Sequence, residues 1–435
     1  MTSSVRSGSE KDPFRAIRAL RQRNFRLFWS GQLISVMGAW MQSIGQAWLV
    51  LDLTHSPVQL GVVGALQLLP VLLFSLFTGV FVDRWPKRRI LLLTQSAALV
   101  QALALWYLVA SHSIMLWQIY VLAFLLGVTF SLDKPARQAF VVELVGREDL
   151  PNAVALNAAL DNLARIVGPS LGGVLIAVSG VATLFLLNAV SYLAVILALA
   201  LIQISELHVQ SSVHLVSSRG QSVSVWHSLR GGLAYLWRTP ALLLPMTVVG
   251  LGLLFGSNFN VILPHFATEV LAVGAPGFGA LSGALGVGAL LGALWLAWTS
   301  RRPTIRRILL DGAIFGVLLA VFALTRSFPL ALAVMAGVGC AETLFVERYA
   351  MLAQVAPPDQ VRGRVMSVSV LFIDGTVPLG YVLMGWLSSR FSAPTAVLVG
   401  AALTLVVVGA GWLMRAPAEQ DRGDTWGRSY ASESV

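Results

Sequence analysis

Apolar residues come in long unbroken runs along this chain, separated by short polar or basic turns. A helix that crosses a bilayer needs about 20 mostly apolar residues. Runs of that length predict twelve helices, near 25–51, 57–82, 90–110, 116–135, 151–178, 181–204, 240–264, 275–299, 307–325, 328–349, 364–388 and 393–414. Residues 1–24 are polar and basic, with no apolar core and no small-residue cleavage site, so they are expected to be a cytosolic tail rather than a secretory signal. Residues 415–435 are expected to be a disordered tail.

Composition agrees with this pattern. The 435 residues are 57% hydrophobic and only 11% charged, where a soluble domain carries about 25% charged residues. The class is an integral all-α membrane protein. Charge then fixes a topology, because cytosolic loops collect Lys and Arg. With the amino terminus inside and twelve alternating spans, 27 of the 30 Lys and Arg residues fall on the inner side; only Arg326 and Arg390 lie outside, and Arg165 lies within a helix. The net charge of +10 is therefore read as a topology signal. Dispersal over seven inner segments argues against a nucleic-acid partner. Cys340 is the only cysteine, which excludes an internal disulfide.

The chain echoes itself. "RRILL" occurs at 88–92 and again at 306–310, each time opening a helix after a basic turn. "ARQAFVVELVGREDLPNAV" (136–154) lies over "ERYAMLAQVAPPDQVRGRV" (347–365), matching Arg137 to Arg348, Ala139 to Ala350 and Val154 to Val365. The offsets of 218 and 211 residues predict two six-helix bundles, 25–204 and 240–414, joined by a cytosolic linker over 205–239. In that linker Trp226, Leu229, Leu233, Leu236 and Trp237 recur at helical spacing, so the segment is expected to lie flat on the inner membrane surface.

Two six-helix halves with both ends inside resemble the major facilitator superfamily over nearly the whole chain. The turn "GVFVDRWPKRRILLL" (79–93) resembles that superfamily's signature between its second and third helices, with Gly79, Asp83, Arg84, Arg88 and Arg89 at the matching positions and Trp85-Pro86 replacing the usual glycine. "DKPARQAFVVELV" and "RIVGPSLGG" are similar to the drug-efflux branch that includes macrolide and enterobactin exporters. The resemblance implies a gating role for the turn. Asp83 ends one helix at the membrane face and would latch onto an opposing helix amino terminus near Arg364. With the "RRILL" copies aligned, Arg301 stands opposite Asp83, so the latch is one-sided.

Ionisable residues inside a span are costly and so are functional candidates. Asp161 and Arg165 are four apart on one helix face, where they can neutralise each other, contact substrate or handle a proton. Gly168-Pro169 and Gly172-Gly173 follow. The proline removes a backbone donor and the glycines let a neighbouring helix approach. The set resembles the superfamily's antiporter Gly-Pro signature, which implies a bend and seal between the halves. Asp374 and Glu342 are the second half's candidates for coupling, Asp374 having no basic residue within a turn. Asp311 is expected to pair with Arg307, and Glu143 with one of the basic turns. Proton-coupled relatives often carry an arginine in the middle of the fourth helix, and "LWQIYVLAFLLGVTFSL" has none. Gln42 and Gln46 share a face of the first helix; with Gln67, Asn258 and Asn260 they could line an amphipathic cavity or bond between helices.

These features point to a secondary transporter exporting a small amphipathic molecule, driven by protons, monomeric, in the plasma membrane with both termini cytosolic. No Walker loop is present and no His lies in a metal or acyl-transfer spacing, so no cofactor or metal is implied. An importer or uniporter of a polar nutrient is the first alternative; a membrane enzyme or receptor is a remote one.

Overall fold

The computed structural model describes residues 15–208, 225–299 and 303–432. Its helices are α1 (Arg23–Thr54), α2 (Pro57–Arg84), α3 (Lys87–Ala110), α4 and α5 (116–145 and 147–179, the two arms of Leu116–Ser179), α6 (Val181–Leu201), α7 (Pro240–Glu269), α8 (Gly274–Thr299), α9 (Ile305–Leu324), α10 (Phe328–Val355), α11 (Asp359–Arg390) and α12 (Ala393–Ala416). Ten helices of the described residues are apolar and long enough to cross a membrane, Leu116–Ser179 being two spans end to end. Adding α1, whose amides and serines dilute its hydropathy, gives twelve. An even number of spans puts both termini on one side, termed here the terminal face.

The α4–α5 junction differs from the expected loop. Helix continues through 136–145 because Ala136, Phe140, Val141, Leu144 and Val145 are buried in a cluster with Phe25, Phe28, Ile90, Leu91 and Leu199, beyond the end of the apolar run. The chain turns only at Gly146, at φ 70°, a left-handed conformation in which a Cβ would be strained. α7 is broken at Ser257 and Asn258, near its middle. The backbone of the last helix also runs on to Ser432 instead of ending as a disordered tail. Ala418, Glu419 and Gln420 are good helix formers that extend a helix already nucleated.

The internal echo has a structural counterpart. Arg137 pairs with Asp133, which also accepts from Thr94 Oγ1 (2.8 Å) and Gln95 Nε2 (2.7 Å). Its match Arg348 pairs with Asp311 at 3.0 Å, so Asp311 is tied across to α10, and Arg307, one turn away on its own helix, adds a second positive charge within electrostatic reach. Each half thus fastens its third and fourth helices through a carboxylate held by the matching arginine. In the first half Asp133 of α4 takes both its arginine and the two α3 donors, and in the second Asp311 of α9 pairs directly with Arg348 of α10.

The linker helix Val225–Trp237 does not simply lie on lipid. Leu236 is fully buried, and a side chain at Gly232 would begin 2.6 Å from the Arg364 carbonyl of α11. The helix is docked on the terminal-face end of α11 through Gly232, with Leu236 buried, and Leu233 and Trp237 remain the exposed part of the apolar stripe. Trp226 and Leu229 have side chains outside the described residues.

Candidate functional site

The two halves touch at the face opposite the termini. α5 and α8 cross there with almost no side chain between them. A Cβ at Gly173 would lie 2.5 Å from the Ala275 carbonyl, and one at Gly279 would lie 2.5 Å from that of Pro169. Only glycine allows this approach. Pro169 cannot donate to the carbonyl of Arg165 four residues earlier, and that oxygen faces Gly286 of α8. On the other flank α2 meets α11, with Gly385 against the Pro57 carbonyl. Gly168 and Gly172 face α1 instead: a Cβ at Gly168 would lie 2.6 Å from the Trp40 Cβ. The "GPSLGG" segment therefore holds two contacts, one within the first half and one between halves.

Between this seal and the terminal face the halves part. A cavity of about 630 Å³ is lined by Asn162 and Arg165 of α5, Ser257 of α7, and Glu342, Thr343 and Glu347 of α10. A second of about 320 Å³ lies under the α2–α11 contact, lined by Trp40, Gln46, Gln67, Phe130, Asn260 and Tyr381. Asn260 Nδ2 donates to the Tyr381 hydroxyl at 3.2 Å.

The charges are arranged across the halves. Arg165 does not turn to Asp161. It reaches Glu342, 3.9 Å away in the other half. Glu342 is only 8% exposed; its Oε1 accepts from the Ser257 hydroxyl and its Oε2 has no hydrogen bond. Asp161 and Asp374 are both exposed; Arg137 and Lys134 of α4 are within electrostatic reach of Asp161, and Lys134 is within reach of Asp374. Asp374 therefore has a basic neighbour that its own helix does not reveal, contributed by the opposite half.

Ser257 and Tyr381 are site residues that sequence reasoning passed over, and it gave Lys134 and Glu347 no part in the site. Lys134 sits where span ends ordinarily collect basic residues, so nothing local distinguishes it. Ser257 carries its signal only in the break of α7. Two predicted cavity amides are elsewhere. Gln42 accepts from Asn188 (2.7 Å) and donates to Gln101 (3.1 Å), tying α1 to α6 and α3. Asn258 donates to the Leu254 carbonyl of its own helix at 2.9 Å and is buried behind the cavity wall. A buried amide needs partners; Gln42 finds them inside its own half, while Asn258 places its nitrogen there and leaves its Oδ1 without a hydrogen bond.

The signature turn is engaged at the terminal face. Arg88 Nε donates to the Leu199 carbonyl at 2.7 Å, and Arg88 also reaches the Ala200 carbonyl, capping the end of α6. Lys87 lies 3.7 Å from Glu143 on the α4 extension, a pairing of Glu143 with a basic turn as expected. Arg84 and Arg89 are exposed. The side chains of Gly79 and Asp83 lie outside the described residues, although both lie in the helical backbone of α2.

The family described as transmembrane secretion effector matches residues 15–430. The chain belongs to the major facilitator superfamily. It is 28% identical to the multidrug efflux pump Tap of Mycolicibacterium fortuitum over 78% of this chain and 82% of that one. It is 33% identical to the staphyloferrin A transporter of Staphylococcus aureus over 40% of this chain and 45% of that protein. An enterobactin exporter of Citrobacter koseri is 28% identical over 36% of the chain. Among solved structures the nucleoside transporter NupG superposes with a TM-score of 0.71 at 12% identity, over 90% of this chain and 99% of that one. A bacterial homologue of the lysosomal transporter Spinster superposes with a TM-score of 0.70 over 92% of this chain. This facilitator is thus a multi-pass membrane transporter of small molecules, all-helical, with efflux-type relatives.

Proposed function

We propose that this facilitator exports a small amphipathic molecule from the cell, using protons as the driver and alternating access as the route. The observation that carries the reading is the cleft: sealed by bare backbone on the far face, parted toward the terminal face, and crossed by the Arg165–Glu342 pair. The basic bias of the terminal-face segments supports a cytosolic terminal face. The cleft is then loaded from the cytosol. Closing it there requires the α5–α8 and α2–α11 crossings to open, a rocking of two rigid bundles. The efflux-type names of the relatives support export over import.

Glu342 is the carboxylate best placed to couple a proton to that motion, in place of Asp374. It is buried at the contact between halves and holds an arginine of the opposite half. Protonation would release Arg165 and weaken the tie; deprotonation would restore it. Asp374 is exposed, with Lys134 within electrostatic reach, so it lacks the isolation this role demands. The bundles are complete within one chain, so a monomer is the proposed working unit.

The test is proteoliposome transport of a dye substrate with and without a pH gradient. Glu342→Gln keeps the shape and the Ser257 contact but cannot ionise. It is expected to retain downhill counterflow and lose gradient-driven accumulation. Accumulation at the parent rate would remove Glu342 from the coupling step.

A further inference from the structure

We infer that the cleft selects an organic cation of drug size over a neutral or anionic molecule of the same shape. The inference rests on the transport reading above and narrows its substrate class by charge. The basic groups near the cleft are nearly all committed. Arg137 is held by Asp133, Arg348 by Asp311, Lys87 by Glu143 and Arg165 by Glu342. Arg137, although paired, and Lys134 are both within electrostatic reach of Asp161, and Lys134 is within reach of Asp374.

Asp161, Glu347 and Asp374 are all exposed, and none forms an ion pair among the described residues. Glu347 lines the 630 Å³ cavity on the α10 wall. Asp161 lies one turn before Arg165 and one residue before Asn162, both of which line the facing α5 wall. The charged residues of that cavity's lining are Arg165, Glu342 and Glu347, so its wall carries one carboxylate in excess. A cleft with low-dielectric walls concentrates such a field and draws in the opposite charge.

The second cavity suits the rest of such a molecule. Trp40, Phe130 and Tyr381 offer ring faces, while Gln46, Gln67 and Asn260 offer neutral polar groups. Ring faces hold cations and flat apolar bodies. Its basic side chains are none, so an acidic ligand has no partner there. Cavities of about 320 and 630 Å³ match ligands of drug size. A polycarboxylate would have to break the Arg165–Glu342 contact to find a positive partner in this lining, and would leave buried negative charge behind.

The experiment uses the full chain in lipid nanodiscs, with empty nanodiscs as the blank for partitioning. Equilibrium dialysis compares tetraphenylphosphonium, tetraphenylborate and triphenylphosphine oxide, which are of similar shape and are positive, negative and neutral. Binding of the phosphonium is expected to exceed that of the neutral probe by about tenfold or more and to weaken with added salt. Glu347→Gln and Asp161→Asn are each expected to weaken phosphonium binding several-fold and to leave the neutral probe unchanged. Glu347→Asp, which keeps the charge, should retain most of the preference and serves if Glu347→Gln lowers the melting temperature. Equal or tighter binding of the borate or the oxide overturns the inference. So does a phosphonium preference untouched by all three variants. Phosphonium bound selectively but not moved by a pH gradient would sink the export reading and leave the charge preference standing; gradient-driven export of an anionic dye would do the reverse.

Discussion

Arg165 on α5 and Glu342 on α10 meet at 3.9 Å across the boundary between the two halves of the molecule. Neither has another ion-pair partner among the described residues, and Glu342 is almost wholly buried. A buried charge that loses its partner is strongly destabilised. Reversing either charge alone, Arg165→Glu or Glu342→Arg, is expected to lower transport at least about tenfold through that penalty. The double exchange restores an attractive pair and is expected to recover part of the activity. If the exchange is no better than the worse single variant, the two residues are not acting as a pair.

Gly168 and Gly173, five residues apart, predict two different failures. A side chain at Gly168 runs into Trp40 and the Met37 carbonyl of α1, inside one rigid half. Gly168→Leu is expected to cost about 1–3 kcal/mol of stability through overpacking, read as a lower melting temperature. A side chain at Gly173 runs into Ala275 and Gly279 of the opposite half. Gly173→Leu should leave each half intact and instead prise the far-face seal. It is expected to expose far-face cysteine probes in α8 to impermeant maleimide, with a near-parental melting temperature. Identical behaviour of the two variants would mean that the segment makes only one kind of contact.

The contrast between these glycines also marks what a sequence can reveal. The twelve helices were legible because a span needs a fixed length of apolar residues, and "GPSLGG" was legible as a close-contact segment because small residues and proline have few other uses in a span. Which neighbour each glycine meets depends on the packing of the halves, which no local spacing encodes. The same holds for charge. Asp161 and Arg165 share a helix face, yet Arg165 is taken by a glutamate 177 positions further along, and Asp374 gains Lys134 from the other half. Gln42 looked like a cavity amide and is a strut between α1, α3 and α6.

Asp311 and Arg348 carry a further expectation. The pair is 3.0 Å apart, with side chains only 7% and 14% exposed, and it joins α9 to α10. Asp311→Ala leaves the arginine without its carboxylate at a buried site. Loss of one partner from such a pair costs about 3–5 kcal/mol. The variant is expected to melt several degrees lower in detergent. Arg307→Ala, one turn from Asp311, should matter much less for stability. Equal destabilisation by the two would show that Arg307 shares the load.

The seal itself can be locked. A Cβ placed at Gly283 of α8 lies 3.5 Å from the Cβ of Ser170 of α5. Disulfides form at Cβ separations of about 3.5–4.5 Å, and the Ser170 oxygen that crowds this position is the atom the cysteine sulfur replaces. Ser170→Cys with Gly283→Cys is therefore expected to cross-link on mild oxidation, in a background where Cys340, the only native cysteine, is changed to Ala. Alternating access requires α5 and α8 to separate here when the terminal face closes. The oxidised protein should then bind substrate from the terminal face but not transport it, and a reductant should restore transport. Each single variant, treated alike, controls for the substitution at Gly283. A cross-linked protein that still transports at the parent rate would show that the α5–α8 crossing stays shut throughout the cycle, and the exit path would have to be sought on the α2–α11 flank.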